Sequence, residues 1–353
     1  DAAEQLLRKS PLTTGQGALL RCALISRAME PDFAIPDLSG AVLLTQAGQE
    51  VLRASGGIAQ PATGAPCTPE TRFRIASLSK QFTAAAAMLL VQDGVLSLEQ
   101  PIADLLEVCP AAWSGITLHH LLSCSSGLCH WEALPGFDMH NPGTPDEFVD
   151  RLAKQPLLCA PGEEWNYSSP GFVIAALALQ RVTGRPHHEF LAERIFEPLG
   201  MTSTGAGATV PAAGVSGTRG GVVVATPATA DFPGAGDLSS TVHDLARYFA
   251  ALDAGTLLSE ESKRAIRTAH VPVPEAAGSD RLRLTAVGYG YGTFVGRMGG
   301  RPAHYHPGDV DGFRGLTLHV PALRAAVLVL SNRSEADVEE IAAQLLPYLP
   351  SGS

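Results

Sequence analysis

The alternation of apolar and polar positions divides the chain into strand-like ends and a helical middle. Residues 40–44 and 50–54 are two apolar-rich runs joined by Gln46-Ala47-Gly48, the pattern of a β-hairpin. Before them, Leu19, Leu20, Ala23, Leu24 and Ile25 recur at helical spacing and predict a helix over 17–29 that Pro31 and Pro36 end. In the last third, 315–320 and 324–332 read as strands around a Pro-Ala turn. Residues 287–295 form a strand-like stretch broken by glycines, 303–306 a short strand, and 336–346 a closing amphipathic helix. Between the ends, 72–76 is a short strand running into an Ala/Leu-rich helix from 77 to 91. Further helices are expected at 101–106, 117–123, 144–154, 171–183, 187–195 and 242–254, with a short one opening at Ser259. Thr144-Pro145-Asp146-Glu147 is the strongest start, with a Thr cap, Pro in the first turn and Glu three residues on. Residues 205–236 are rich in Gly, Ala and Thr and read as loop with a strand at 221–225.

Strands at both ends with helices between them predict an α+β fold. One antiparallel sheet is built from the N- and C-terminal segments and flanked by helices, with a mainly helical region inserted. The expected division is 1–39 as an extension with the first helix, 40–76 plus 237–353 as the sheet region, and 77–236 as the helical region. Ser77 and Tyr167 fall at the interface.

Composition narrows the class. At 353 residues, 45% hydrophobic and 17% charged, the chain is long and apolar enough for a large core. A net charge of -10 with no basic run argues against nucleic acid as a partner. The longest apolar run, 84–91, is far too short to span a bilayer, so no transmembrane segment is expected. The sequence starts at Asp1 with no basic and apolar leader pattern, so no signal peptide is expected. An extracytoplasmic mature chain and a cytoplasmic biosynthetic enzyme both fit. The six cysteines (22, 67, 109, 124, 129, 159) form no Cys-x-x-Cys pair, and most are expected to be free thiols. A disulfide between Cys124 and Cys129 remains open. The pairs His119/His120 and His187/His188 lack a third ligand at zinc spacing, so no metal or other cofactor is expected.

The candidate chemistry begins at Ser77-Leu78-Ser79-Lys80, the chain's only Ser-x-x-Lys. On a helix that spacing puts both side chains on one face. A lysine whose pKa is lowered by burial can take the proton of a serine one turn away. Alone the motif is weak, because most such tetrapeptides are a capping serine and a solvated lysine. Other segments join it: Tyr167-Ser168-Ser169 in a loop, His306-Pro307-Gly308 at a strand (with His304 as competitor), and Gly236 to Thr241 as framework.

Taken together, the order and spacing of these segments resemble the serine β-lactamase and penicillin-binding protein superfamily. The likeness is to its class C branch of β-lactamases, D,D-carboxypeptidases, D-aminopeptidases, esterases and acyltransferases. It runs from about Gly40 to Leu346 and includes Leu118 to Gly127 and Asp311-Gly312-Phe313-Arg314. It implies a nucleophile at Ser77, a proton-handling Lys80, and Tyr167 as general base and later acid. His306 would position substrate or donate to Tyr167, and the backbone N–H groups of Ser77 and Asp309 would form the oxyanion hole. Ser169, Gly308, Asp309, Asp311 and Trp131 are the substrate-binding candidates, with Gly308 leaving room for substrate along its strand.

Two departures from the family pattern bear on substrate. Ser169 stands where Asn is usual and can hold an acyl amide less completely. Asp309 and Asp311 place carboxylates where small or neutral residues are usual, which favours a cationic substrate over an anionic one. The function expected is a serine hydrolase using an acyl-Ser77 intermediate on amides or esters, including peptides with D-residues. The alternatives are an acyltransferase or peptide cyclase, and a β-lactam-acylated sensor with little turnover. The partner expected is a small-molecule or peptide substrate.

Overall fold

The computed structural model describes residues 35–107, 109–206 and 215–349. The helix expected at 17–29 and Cys22 lie outside the described residues.

The strands that position the site are β1 (Gly40–Gln46), β2 (Gln49–Gly56), β3 (Phe73–Arg74), β4 (Leu238–Ser240), β5 (Val271–Pro272), β6 (Leu284–Tyr289), β7 (Phe294–Met298), β8 (Arg301–Val310), β9 (Phe313–Val320) and β10 (Ala325–Ser331). Eight of them make one sheet in the order β5-β6-β7-β8-β9-β10-β1-β2. All its pairings are antiparallel, and β1 seats against β10 with Gly40 opposite Ser331. The N-terminal hairpin thus completes a sheet made mostly by the last third of the chain. Strand β10, Ala-Ala-Val-Leu-Val-Leu-Ser, is buried at every position. A strand covered on both faces reads as a continuous apolar run, which is the pattern seen. Strands β3 and β4 belong to a separate three-stranded sheet.

The helices are α1 (Ser79–Gln92), α2 (Leu118–Leu122), α3 (Pro145–Leu152), α4 (Ser169–Thr183), α5 (His187–Leu191), α6 (Val242–Ala254), α7 (Glu260–Arg267) and α8 (Val338–Ala343). Helix α6 packs on β1 and β10. Helix α1 is buried from Ser79 through Leu90, which suits an alanine-rich segment that is apolar nearly all round. The Thr144 capping box forms as its sequence predicts, and α3 follows with Pro in its first turn.

Several boundaries differ from the sequence expectation. The stretch 287–295 takes in the end of β6, a bend at 290–293 and the start of β7, because Gly290 and Gly292 supply the turn. The strand expected at 303–306 is the ten-residue β8, which carries Pro307 through it. The helix expected at 101–106 contracts to a single 3-10 turn, Ile102–Asp104. Cys124 and Cys129 are both free thiols, so no disulfide closes that segment. No described helix is long and apolar enough to cross a membrane.

Gly308 has a packing role that its sequence position did not suggest. A Cβ there would lie 2.5 Å from the Ile75 carbonyl oxygen and 3.3 Å from Leu78 Cγ. The bare backbone admits the turn bearing Ser77 against β8, where substrate room was expected. Gly308→Ala is expected to force these two backbones apart and lower the unfolding free energy by about 1–3 kcal/mol in a urea titration. Wild-type stability in that variant would mean the turn does not sit against the strand.

Candidate active site

Ser77 lies in a 3-10 turn, Ala76–Leu78, that runs directly into α1. Ala76, just before it, has φ 47, a left-handed value that costs a non-glycine residue about 1 kcal/mol or more. The strained turn is held by β3 pairing with β4 on one side and by β8 and β9 on the other.

Lys80 reaches back one turn from α1 and is wholly buried. Its Nζ donates to Ser77 Oγ at 3.0 Å, Ser169 Oγ at 3.1 Å and the Ala235 carbonyl at 2.8 Å. Three ammonium hydrogens therefore meet three acceptors. Burial lowers its pKa to about 7, with the Cys124 thiol and Asp237 opposing the shift. Asp237, also buried, is pushed up to about 7 by burial, while the Gly234 N–H donates to its Oδ1 at 3.0 Å.

Helix α4 brings in the second segment. Ser168 caps it by accepting from the Gly171 N–H at 3.1 Å, and Pro170 occupies its first turn. This cap places Tyr167 just outside the helix and Ser169 as its first residue. The Tyr167 phenol hydrogen-bonds with the Ser77 and Ser169 hydroxyls, and the protein packed around it raises its pKa well above the ordinary value. Lys80 Nζ stands 5.0 Å from the Tyr167 ring centroid.

His306 sits on β8, buried, with its ring 6.1 Å from that of Tyr167. Its Nδ1 donates to the Pro307 carbonyl at 2.6 Å, since a carbonyl can only accept. Its Nε2 then accepts from the Tyr289 hydroxyl at 2.9 Å. Burial and the nearby Lys80 lower its pKa to about 3. Both ring nitrogens are therefore engaged with neighbours, and the expected donation to Tyr167 does not occur. His304 points elsewhere, with its ring 6.5 Å from that of His319.

Ser77, Tyr167, Ser169, His306, Asp309, Asp311 and Trp131 line one cavity of about 790 Å³, while Gly308 is absent from its lining. The carboxylates are not bare. Asp309 pairs with Arg314 at 2.5 Å, and Asp311 pairs with Arg219. Two arginines thus pair with two of the three carboxylates lining the cavity, and Glu132 leaves one carboxylate in excess at the mouth. Sequence reasoning passed over His130, Trp165, Tyr289, Arg219 and Arg314. His130 is adjacent to Trp131 and three residues beyond Gly127, the end of the segment carrying the resemblance. Arg314 closes the Asp311-Gly312-Phe313-Arg314 stretch but was given no role of its own, and Arg219 lay outside every motif and carried no signal. His119 bonds Tyr291, and His187 contacts Thr83. Among the described residues no group of three or more His, Cys, Asp or Glu is placed to hold a metal.

A mixed antiparallel sheet with helices, and a serine-lysine-tyrosine cluster where they meet, defines the class. The chain belongs to the beta-lactamase family, whose model matches residues 27–347. It is 34% identical over 186 residues to esterase EstB of Burkholderia gladioli, covering 48% of this chain and 47% of that protein. It is 28% identical over 335 residues to a D-aminopeptidase of Gluconobacter oxydans (strain 621H), covering 90% and 61%. The chain thus spans less than two thirds of these relatives. The octameric penicillin-binding protein homologue from Pyrococcus abyssi superimposes with a TM-score of 0.78 at 25% identity, covering 96% of this chain and 77% of that one.

The burial of Lys80 has a measurable consequence. Above about 7 the folded lysine has shed its proton, while the unfolded lysine keeps it to 10.5. The unfolded state then holds more protons, so stability rises with pH across that window. Relative to Lys80→Met, wild-type unfolding free energy should climb by up to about 1.4 kcal/mol per pH unit there. Parallel pH profiles for the two proteins would show that Lys80 titrates normally.

Proposed function

We propose that the chain is a serine hydrolase that acts on amides or esters, among them small peptides or amides with D-residues, through an acyl-Ser77 intermediate. The observation that carries this reading is the 3.0 Å contact between Ser77 Oγ and a wholly buried lysine whose pKa falls to about 7. A base poised near the working pH is what general-base catalysis needs. The names of the esterase and D-aminopeptidase relatives support the substrate class.

In this reading neutral Lys80 takes the Ser77 proton as Oγ attacks the carbonyl carbon. The backbone N–H groups of Ser77 and Asp309 receive the developing oxyanion. The leaving amine or alcohol departs with the proton from Lys80, passed by the Tyr167 phenol. Water then attacks the acyl group, its proton passing by way of Tyr167 and Ser169 to Lys80, which returns it to Ser77 Oγ. Tyr167 serves as a protonated relay here and not as a tyrosinate base, because its surroundings raise its pKa while those of Lys80 lower it. His306, tied to Tyr289 and the Pro307 carbonyl, holds the β8 edge of the cavity. Asp309 and Asp311, each paired with an arginine, and the indole of Trp131 would contact the substrate's flanking groups.

Ser77→Ala is expected to abolish labelling by a fluorophosphonate and turnover of every substrate. Intact-mass detection of acyl-enzyme against D-amino acid amides, esters and β-lactams would identify the acyl donor. Persistent labelling of the variant would remove Ser77 as nucleophile. The kcat/KM of wild type should rise with pH through an apparent value of about 7, as Lys80 loses its proton. A rise centred in the ordinary lysine range would assign the base elsewhere.

A further inference from the structure

We propose that Ser169 and His130 form a proton relay between the buried Lys80 and the mouth of the cavity. The inference rests on the acyl-Ser77 reading and adds to it a route by which Lys80 is reset. Lys80 is 0% exposed, with its three hydrogens on Ser77, Ser169 and Ala235, so no water reaches Nζ directly. The Ala235 carbonyl cannot carry a proton onward, and Ser77 is blocked once acylated. Ser169 remains. Its Oγ accepts from Lys80 at 3.1 Å and faces His130 Nε2, also at 3.1 Å.

The direction of the bonds follows from the chemistry. A hydroxyl that accepts from the ammonium can donate to the imidazole, so Nε2 is the bare nitrogen and Nδ1 carries the hydrogen. That Nδ1 is buried and has no hydrogen-bond partner. It lies 4.0 Å from Glu132 Oε2, whose side chain is 72% exposed. A buried N–H without a partner is rare and costly. One aimed toward an exposed carboxylate at the end of a hydrogen-bonded chain is placed to pass a proton out. The His130 ring is held between Trp131 and Tyr167, at centroid distances of 5.1 and 5.9 Å. Burial and the facing Lys80 lower its pKa to about 4, so the ring conducts without storing charge.

The step balances as proton transfer alone. A proton on Lys80 Nζ passes to Ser169 Oγ as the Ser169 hydroxyl proton passes to His130 Nε2. The Nδ1 proton of the resulting imidazolium passes to water beside Glu132. Lys80 is left neutral and one proton is in solvent. Reversing the sequence reloads the lysine. The need differs between substrates. An amide's leaving amine takes the Ser77 proton with it, so Lys80 resets itself. An aryl ester's phenolate leaves as an anion, so Lys80 keeps the proton and must shed it before activating the hydrolytic water.

The test uses p-nitrophenyl acetate. Acylation is read as nitrophenolate release with enzyme in excess, and deacylation as decay of the acetylated mass. His130→Ala should leave acylation near wild type and slow deacylation by about 100-fold or more, the scale of general acid–base steps. Added imidazole should restore the rate in His130→Ala by occupying the vacated ring site. Ser169→Ala also removes an acceptor of Lys80, so it should slow both steps, deacylation more than acylation, with no response to imidazole. Unchanged deacylation in both variants would overturn the relay. So would an equal fall in acylation and deacylation that imidazole does not repair, which would assign His130 a structural role. Fluorophosphonate labelling of Ser77 in all three proteins tests the acyl-Ser77 reading separately. Loss of labelling in wild type would sink that reading, whereas normal labelling with unchanged deacylation sinks the relay alone.

Discussion

The constraint on which the site depends is the burial of one ammonium group. Removing a charged lysine from water is expensive, and the cost is met either by full hydrogen bonding or by loss of the proton. Lys80 uses both. Its three acceptors come from three separate parts of the chain: the turn before α1, the first residue of α4, and the loop that enters β4. Bringing them within about 3 Å of a single nitrogen requires α1, α4 and the loop before β4 to converge at this point, in line with the strength of charge-assisted bonds. The close approach of the Ser77 turn to Gly308 is the backbone side of the same requirement.

The departures from the family pattern hang together once the contacts are known. A serine in place of an asparagine loses an amide donor, which as a sequence difference reads as weaker substrate binding. In the structure Ser169 is 3% exposed and its hydroxyl is already occupied by Lys80 and His130. The shorter side chain makes space for the imidazole beside it. The acidic run after β8 changes meaning in a similar way. Asp309 and Asp311 would repel an anion if free, but Arg314 and Arg219 face them. The cavity mouth is lined by charges of both signs, with Glu132 leaving one carboxylate in excess, so an amino-bearing group is still favoured over a plain anion.

Much of the fold was legible because its signals are local. Helix α6 runs from Val242 to Ala254, the span its apolar pattern marks, and the Thr144 capping box forms from four residues in a row. The strands of the last third announce themselves by β-branched runs. The misjudged elements are those where tertiary contacts override local preference. Strand β8 continues through Pro307, and 101–106 tightens to one 3-10 turn. At the site, Ser77 and Lys80 were visible by spacing, and Tyr167 and His306 by their motifs. His130 was not, since its partner Ser169 is 39 residues away. Arg219 was missed for the same reason, its partner Asp311 being 92 residues away, whereas Arg314 faces Asp309 across the β8–β9 pair, a register that becomes visible only once the strands are in place.

The spacing of Ser77 and Lys80 also carries a consequence that a uniform helix would not produce. The serine sits in a 3-10 turn and the lysine in the α-helix that follows, with the left-handed Ala76 in front of both. The junction leaves Ser77 at the cavity wall and Lys80 beneath it, so the two groups differ sharply in solvation although they are three residues apart. That asymmetry decides which neighbour acts as base. Tyr167 also bonds Ser77, but desolvation moves a phenol and an ammonium in opposite senses: it disfavours the tyrosinate and favours the neutral amine. A negative charge beside Lys80 would oppose this by favouring the ammonium, and it would disfavour the tyrosinate as well. Asp237 is the nearest candidate, and its own pKa is raised to about 7, so it weakens that effect by holding its proton over the same range. The assignment of Lys80 as base therefore rests on where the chain puts water, and the strained turn at Ala76 is what sets that boundary.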